Sequence, residues 1–292
     1  MAVFQAHNFL GIEERYCYQN NSYFEIIPIP YERTTSYGKG TSKGPEAIIE
    51  ASQYVELYDE QFQIDAYKKG IHTSEPIDVS GQIKTAFDRI QQKFSLSLKE
   101  GKFPIGLGGE HAVTFPIYTA FHNFFDDLCI LHFDAHSDLR ESYEGSIYSH
   151  ASVMHRIAGL GDPIIQVGIR SQCIEEARFI RDKGIHTFYA HHIVRNGFNQ
   201  AIIDHLNRNV FITFDLDFFD PSIMPSTGTP EPGGFQWHET VVFLQRVFEQ
   251  KNVVGFDVVE LAPQKNVTHP DFLAAKLIYK MMTLKLCLNF DK

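Results

Sequence analysis

Short apolar runs alternating with amphipathic stretches along almost the whole chain restrict its fold more than any other feature. The runs are FEIIPI (24–29), FPIGL (103–107), LCILHF (128–133), IIQVGI (164–169), IHTFYA (185–190), VFITFDL (210–216) and VVGFDVV (253–259). They are rich in β-branched and aromatic residues and apolar on both faces, as strands are when a parallel sheet is covered by helices on each side. Helical patterns lie between them. One starts near Pro45, a residue tolerated in a first turn, with Ser42 or Gly44 placed to cap it. Others run over 82–98, 111–125, 151–159, 174–183, 198–208, 238–250 and 270–288. This alternation predicts an α/β fold. No repeat, low-complexity segment or long linker interrupts it, so residues 1–292 are expected to form a single domain.

With 292 residues, 43% of them hydrophobic, the chain can bury a large core. Its net charge of −10 and the lack of any Lys/Arg-rich run argue against nucleic acid or an anionic membrane as partner. The acidic balance suits a cationic substrate as well as plain solubility. Cys17, Cys129, Cys173 and Cys287 lie far apart with no CxxC pair, and read as reduced thiols rather than a disulfide frame or zinc site. The N-terminal stretch has no basic segment followed by an apolar one, and no apolar run reaches membrane-spanning length. A cytoplasmic protein is expected.

The unusual residues cluster just after the apolar runs, where open α/β sheets bind ligands. In LHFDAHSDLR, Asp134, His136 and Asp138 come at every second position, so an extended chain would turn all three to one side. ITFDLDFFDP ends its run with Asp215 and Asp217, again two apart. GLGGEHAVT offers a tight turn at Gly108 and Gly109 before His111, and GFDVVELAP carries Glu260 at its exit. Carboxylates crowded in this way are costly unless a positive charge holds them. Oxygen ligands with imidazole added suit divalent cations, and this many carboxylates suit two ions sharing bridging ligands.

These residues carry a likeness. GGEH, DAHSD, SHAS, FDLDFFDPSIMPSTGTPEPGG and DVVELAP, with RTTSYGKGTSKGPEAI (33–48) before them and LAAKLIYKMM (273–282) after, resemble the motifs of the ureohydrolase family in their order. That family includes arginase, agmatinase and formiminoglutamase. The resemblance implies a three-layer α/β/α arginase-like fold around a mostly parallel eight-stranded sheet, a dimanganese site, and assembly into trimers or hexamers. It also implies that His111, Asp134, Asp138 and Asp215 hold one Mn²⁺, and that Asp134, His136, Asp215 and Asp217 hold the other. A metal-bridging hydroxide would attack the guanidinium carbon. His150 of YSHAS would move protons, a task suited to a group titrating near neutral pH, with His155 close enough to compete. Glu260 would pair with the guanidinium. His132 is expected to be packed or hydrogen-bonded rather than a ligand, and the pair His191-His192 to start a loop. Thr229 is a candidate substrate contact.

The loop LRESYEGSIYSHASVMHRI lacks the Asn and polar groups with which arginases recognise an amino acid's carboxylate, and with TGTPEPGG it looks like the agmatinase branch. The expected reaction is therefore hydrolysis of agmatine to putrescine and urea. Glu144, Glu175, Glu176 or Glu231 could accept the distal amine. The sibling substrates are N1-aminopropylagmatine, guanidinobutyrate, arginine and formiminoglutamate. From other classes come a non-catalytic metal-binding protein on this fold and a single-zinc amidohydrolase of the deacetylase group.

Overall fold

The strands run β1 (Phe24–Ile29), β2 (Ile71–Thr73), β3 (Phe103–Gly108), β4 (Leu128–Phe133), β5 (Ile164–Ile169), β6 (His186–Tyr189), β7 (Asn209–Asp215) and β8 (Asn252–Val259) in a computed structural model that describes residues 8–288. They form one eight-stranded sheet of order β2-β1-β3-β8-β7-β4-β5-β6. Every pairing is parallel, so the sheet is parallel throughout rather than mostly so. The helices are α1 (Gly44–Ser52), α2 (Ile83–Lys99), α3 (Thr114–His122), α4 (Val153–Ala158), α5 (Ile174–Lys183), α6 (Ala190–Asn196), α7 (Gln200–Asp204), α8 (Trp237–Gln250) and α9 (His269–Cys287).

Strand side chains alternate between two apolar cores. Phe103, Ile105 and Leu107 of β3 share one with Ile48 of α1, Val247 of α8 and Ile278 of α9. Ile27, Ile130 and Phe211 join the other, with Phe94 of α2, Ile117 of α3 and Met154 of α4. Both faces are thus buried, which is why the strands read as continuous apolar runs. Gly106, on the second face of β3, brings that face close to its neighbours; a Cβ there would lie 3.0 Å from Asp257 Cβ and 3.1 Å from Ile117.

Four local expectations differ from the structure. Neither Ser42 nor Gly44 caps α1: Lys43 stands at its N-cap without a side-chain hydrogen bond, and Gly44 is already its first residue. The edge strand β2 is three residues long, too short to carry a periodic pattern, and exists through its pairing with β1 (Phe24 opposite Ile71). His191 and His192 lie inside helix α6 rather than starting a loop, because Ala190 and Ile193 bury one side of it. The stretch 198–208 is helical only over α7. Among the described residues no helix is long and apolar enough to cross a membrane.

The strand order decides where a site can form. The chain passes from β3 to β4, yet β8 and β7 lie between them in the sheet. Such a reversal opens a crevice at the carboxyl ends of the strands. The four strands around it are those whose exits carry His111, Glu260, Asp215 and Asp134.

Candidate metal centre

His111 opens a 3-10 turn after β3, and its ring is fully buried. Its Nδ1 lies 3.1 Å from Asp134, 3.1 Å from Asp138 and 3.2 Å from Asp215, each at Oδ2. The other ring nitrogen, Nε2, is 3.0 Å from Thr213 Oγ1. His136 turns its Nδ1 to Asp217 Oδ2 at 2.8 Å and to Asp134 Oδ1 at 3.5 Å. Asp134 therefore stands between two groups of ligand atoms. The six residues that the resemblance implies as ligands thus lie together, and His132 joins them beside His111 and Asp134.

They do not meet by the simple extended geometry expected. Asp134 Oδ1 accepts the N–H of His136 at 2.5 Å, closing a turn, although His136 still pairs with Ser171 as a parallel bridge. Asp138 sits at φ +51°, a left-handed backbone that costs a non-glycine residue energy. Asp215 ends β7, while Asp217 lies in a 3-10 turn and donates its N–H to Asp215 Oδ1 at 2.9 Å. Carboxylates thus cap their own loops with one oxygen and leave the other for the cluster.

The electrostatics are those of a cluster short of positive charge. Burial, then Asp134, pushes the Asp138 carboxyl up to about 7. Burial, Asp217 and Asp134 hold Asp215 well above the carboxylate range. Burial opposes charge on both histidines, but the carboxylates outweigh it: Asp134, Asp138 and Asp215 raise His111, and Asp217 with Asp134 raises His136. Burial also opposes ionisation of Asp134, yet His132, His111 and His136 hold it well below its ordinary value. The most telling atom is His111 Nδ1, buried without a hydrogen-bond partner and aimed at three carboxylates. A divalent cation satisfies that atom and those oxygens together, so these residues fit a bound metal ion.

A cleft of about 210 Å³ opens above the cluster, lined in part by His136, Asp138, Asp215, Asp217, His150 and Glu260. Glu260 is 7% exposed and, like Asp138, takes a left-handed backbone, at φ +67°. Its Oε1 accepts the N–H of His111 at 2.7 Å. Burial and then Glu110 leave its pKa well above the usual value. His150 borders the same cleft, and burial, followed by the charges of His111 and His136, lowers it to about 4 rather than leaving it near neutral as expected. His155 instead turns Nδ1 to Leu139 O at 2.9 Å and stacks on Phe179. Buried His132 contacts Asp134 Oδ2 through Nε2 at 2.7 Å. Thr229 lines the cleft.

Of the acidic residues considered for a distal amine, Glu176 is the one in the cleft wall, and both its oxygens are taken by backbone N–H groups of Leu139 and Cys173. Glu231 lies 3.7 Å from His136 Nε2. Sequence reasoning did not single out Glu110, Thr34, Arg170 or Asp257. Arg170 donates to the carbonyls of Asp217 (2.6 Å) and Glu231 (2.9 Å), fastening two loops together. Buried Asp257 accepts from Thr114, whose hydroxyl lies 3.3 Å from that of Thr213 behind His111. Glu110 was visible as an acid wedged in GGEH; the others offer no local signal.

The Arginase family sequence model matches residues 22–283. The chain is 41% identical over 266 residues to an N(1)-aminopropylagmatine ureohydrolase of Synechocystis sp., covering 88% of this chain and 87% of that protein. It is 39% identical over 262 residues to the enzyme of that name from Thermus thermophilus, covering 89% of each. Among solved structures, the agmatine ureohydrolase of Thermoplasma volcanium superposes with a TM-score of 0.83 at 30% identity, covering 91% of both chains.

Proposed function

The chain belongs to the arginase family, and from that premise we propose that it hydrolyses a guanidino compound with an amine tail and no carboxylate, N1-aminopropylagmatine first and agmatine second. The observation that carries the reading is the cleft itself. Its floor is a dense acidic cluster, and both oxygens of Glu176 in its wall are already committed to backbone N–H groups. Tyr37, 82% exposed, stands at the mouth, so a tail longer than that of agmatine can leave toward water there. The identities of the two curated relatives support placing the longer substrate ahead of the agmatine expected from the sequence.

In this reading His111, Asp134, Asp138 and Asp215 would hold one divalent cation, and Asp134, His136, Asp215 and Asp217 a second. Such ions, manganese in the family resemblance, supply Lewis acidity and ease removal of a proton from water near neutral pH. Glu260 has one oxygen fixed by His111 N–H and the other free for a guanidinium, which it orients over the cluster. A water oxygen adds to the guanidinium carbon and gives up a proton, which the neutral His150 ring takes and passes to the leaving nitrogen as the C–N bond breaks, giving urea and an amine. The same reading takes residues 1–292 as one domain and the assembly as a homo-oligomer, which sedimentation would test.

The substrate experiment is urea release from N1-aminopropylagmatine, agmatine, guanidinobutyrate and arginine, with and without added Mn²⁺. The highest kcat/KM is expected on N1-aminopropylagmatine. A higher value on agmatine would reverse the order of the two, and a higher value on arginine would refute the carboxylate-free tail.

A further inference from the structure

We propose that Thr34, braced by Glu110, is a positioning residue that fixes the ring of His150. The idea rests on the proton-delivery role given to His150 above. Thr34 Oγ1 accepts the backbone N–H of His150 at 3.1 Å and lies 3.2 Å from its Nδ1. One hydroxyl therefore holds both the main chain and the ring of a residue 116 positions away. The same hydroxyl donates to Glu110 Oε1 at 2.7 Å, and Glu110 Oε2 accepts the N–H groups of Arg33 (2.6 Å) and Thr34 (2.7 Å). Glu110 is fully buried between Gly109 and His111, at the end of β3.

The consequence is directional. Nδ1 is turned back onto Thr34, so Nε2 is the ring nitrogen left for the cleft that His150 lines. The Tyr143 ring meets the imidazole edge-on, with centroids 5.5 Å apart at 79°, and limits rotation from another side. A proton donor loses efficiency quickly when it is misaimed, because transfer requires hydrogen-bond geometry. Glu110 ties this aim to the sheet: it follows the strand that carries His111, so the proton-moving ring and the metal cluster share one rigid support. A threonine that merely closed its own loop would need neither contact with His150.

The test compares Thr34→Val, which keeps the shape and removes the hydroxyl, with Thr34→Ser and Thr34→Ala, in the manganese-loaded enzyme. Thr34→Val and Thr34→Ala are expected to lower kcat about 10- to 100-fold, with KM within about twofold and bound metal unchanged. Thr34→Ser should recover kcat to within about threefold of wild type. In a His150→Ala background, Thr34→Val should cost nothing further, since there is no ring left to aim. The proposal is overturned if Thr34→Val and Thr34→Ala keep wild-type kcat while His150→Ala is impaired, if Ser fails to rescue, or if Thr34→Val lowers the rate of His150→Ala again. Wild-type turnover in His150→Ala alone would instead overturn the proton-delivery role itself, and the aiming of the ring with it.

Discussion

Loading the metal-depleted protein with Mn²⁺ at pH 6 should expel about one proton per chain or more, since Asp138 holds one there. Four groups of the cluster bind protons more tightly than free side chains do. The carboxylates raise His111 and His136, while burial and like charge raise Asp215 and bring Asp138 to about 7. Any proton that one of them holds must leave before it becomes a ligand. With a pKa of about 7, Asp138 is roughly nine-tenths protonated at pH 6 and one-tenth at pH 8, which removes about one proton from the count. Metal affinity must therefore weaken as pH falls. Calorimetric titration with Mn²⁺ in buffers of different ionisation enthalpy, at both pH values, reads the proton number directly. Binding of Mn²⁺ at pH 6 with no net proton release would refute the reasoning.

Three other perturbations follow from individual contacts. Glu260→Gln keeps an oxygen for His111 N–H but loses the charge facing the guanidinium; steady-state kinetics should show KM raised about 10- to 100-fold, the worth of a charge-assisted hydrogen bond, with bound metal unchanged. In Gly109→Ala the new Cβ would lie 2.1 Å from the carbonyl oxygen of Tyr31, so denaturant unfolding should show a loss of about 2–3 kcal/mol. For His150, burial lowers the folded pKa to about 4 from 6.5, so between those values the unfolded chain binds more protons and stability falls as pH falls. Metal-depleted wild type should thus lose up to about 3 kcal/mol relative to His150→Asn between pH 6.5 and 4, measured by chemical denaturation, with no change in their difference above pH 6.5.

The central strands were legible because both of their faces are buried, so β1, β3, β4, β5, β7 and β8 each write an apolar run of their own. β2 was not, since three residues at a sheet edge carry no period and are held by their neighbour. The acidic cluster was legible for a local reason too: Asp134 and Asp138, or Asp215 and Asp217, lie too close in sequence to avoid one another. How they converge was not, because Asp217 enters through a 3-10 turn and Asp138 through a left-handed backbone rather than along an extended strand. The acids proposed for a distal amine show the same limit. Glu176 looked available in the sequence, and only the folded chain reveals the two N–H groups that occupy it.

By itself, then, the sequence determined the α/β alternation, the kinds of ligand and their places just past the strands, because periodicity and charge crowding act within a few residues. The tertiary structure alone decided that β3, β8, β7 and β4 lie side by side, and so that four distant strand exits face one crevice. It also decided that Thr34 meets both Glu110 and His150, as contacts across 76 and 116 residues leave no local trace. Such pairings are chosen by the burial of the whole sheet between its two helical layers, a property no single segment contains.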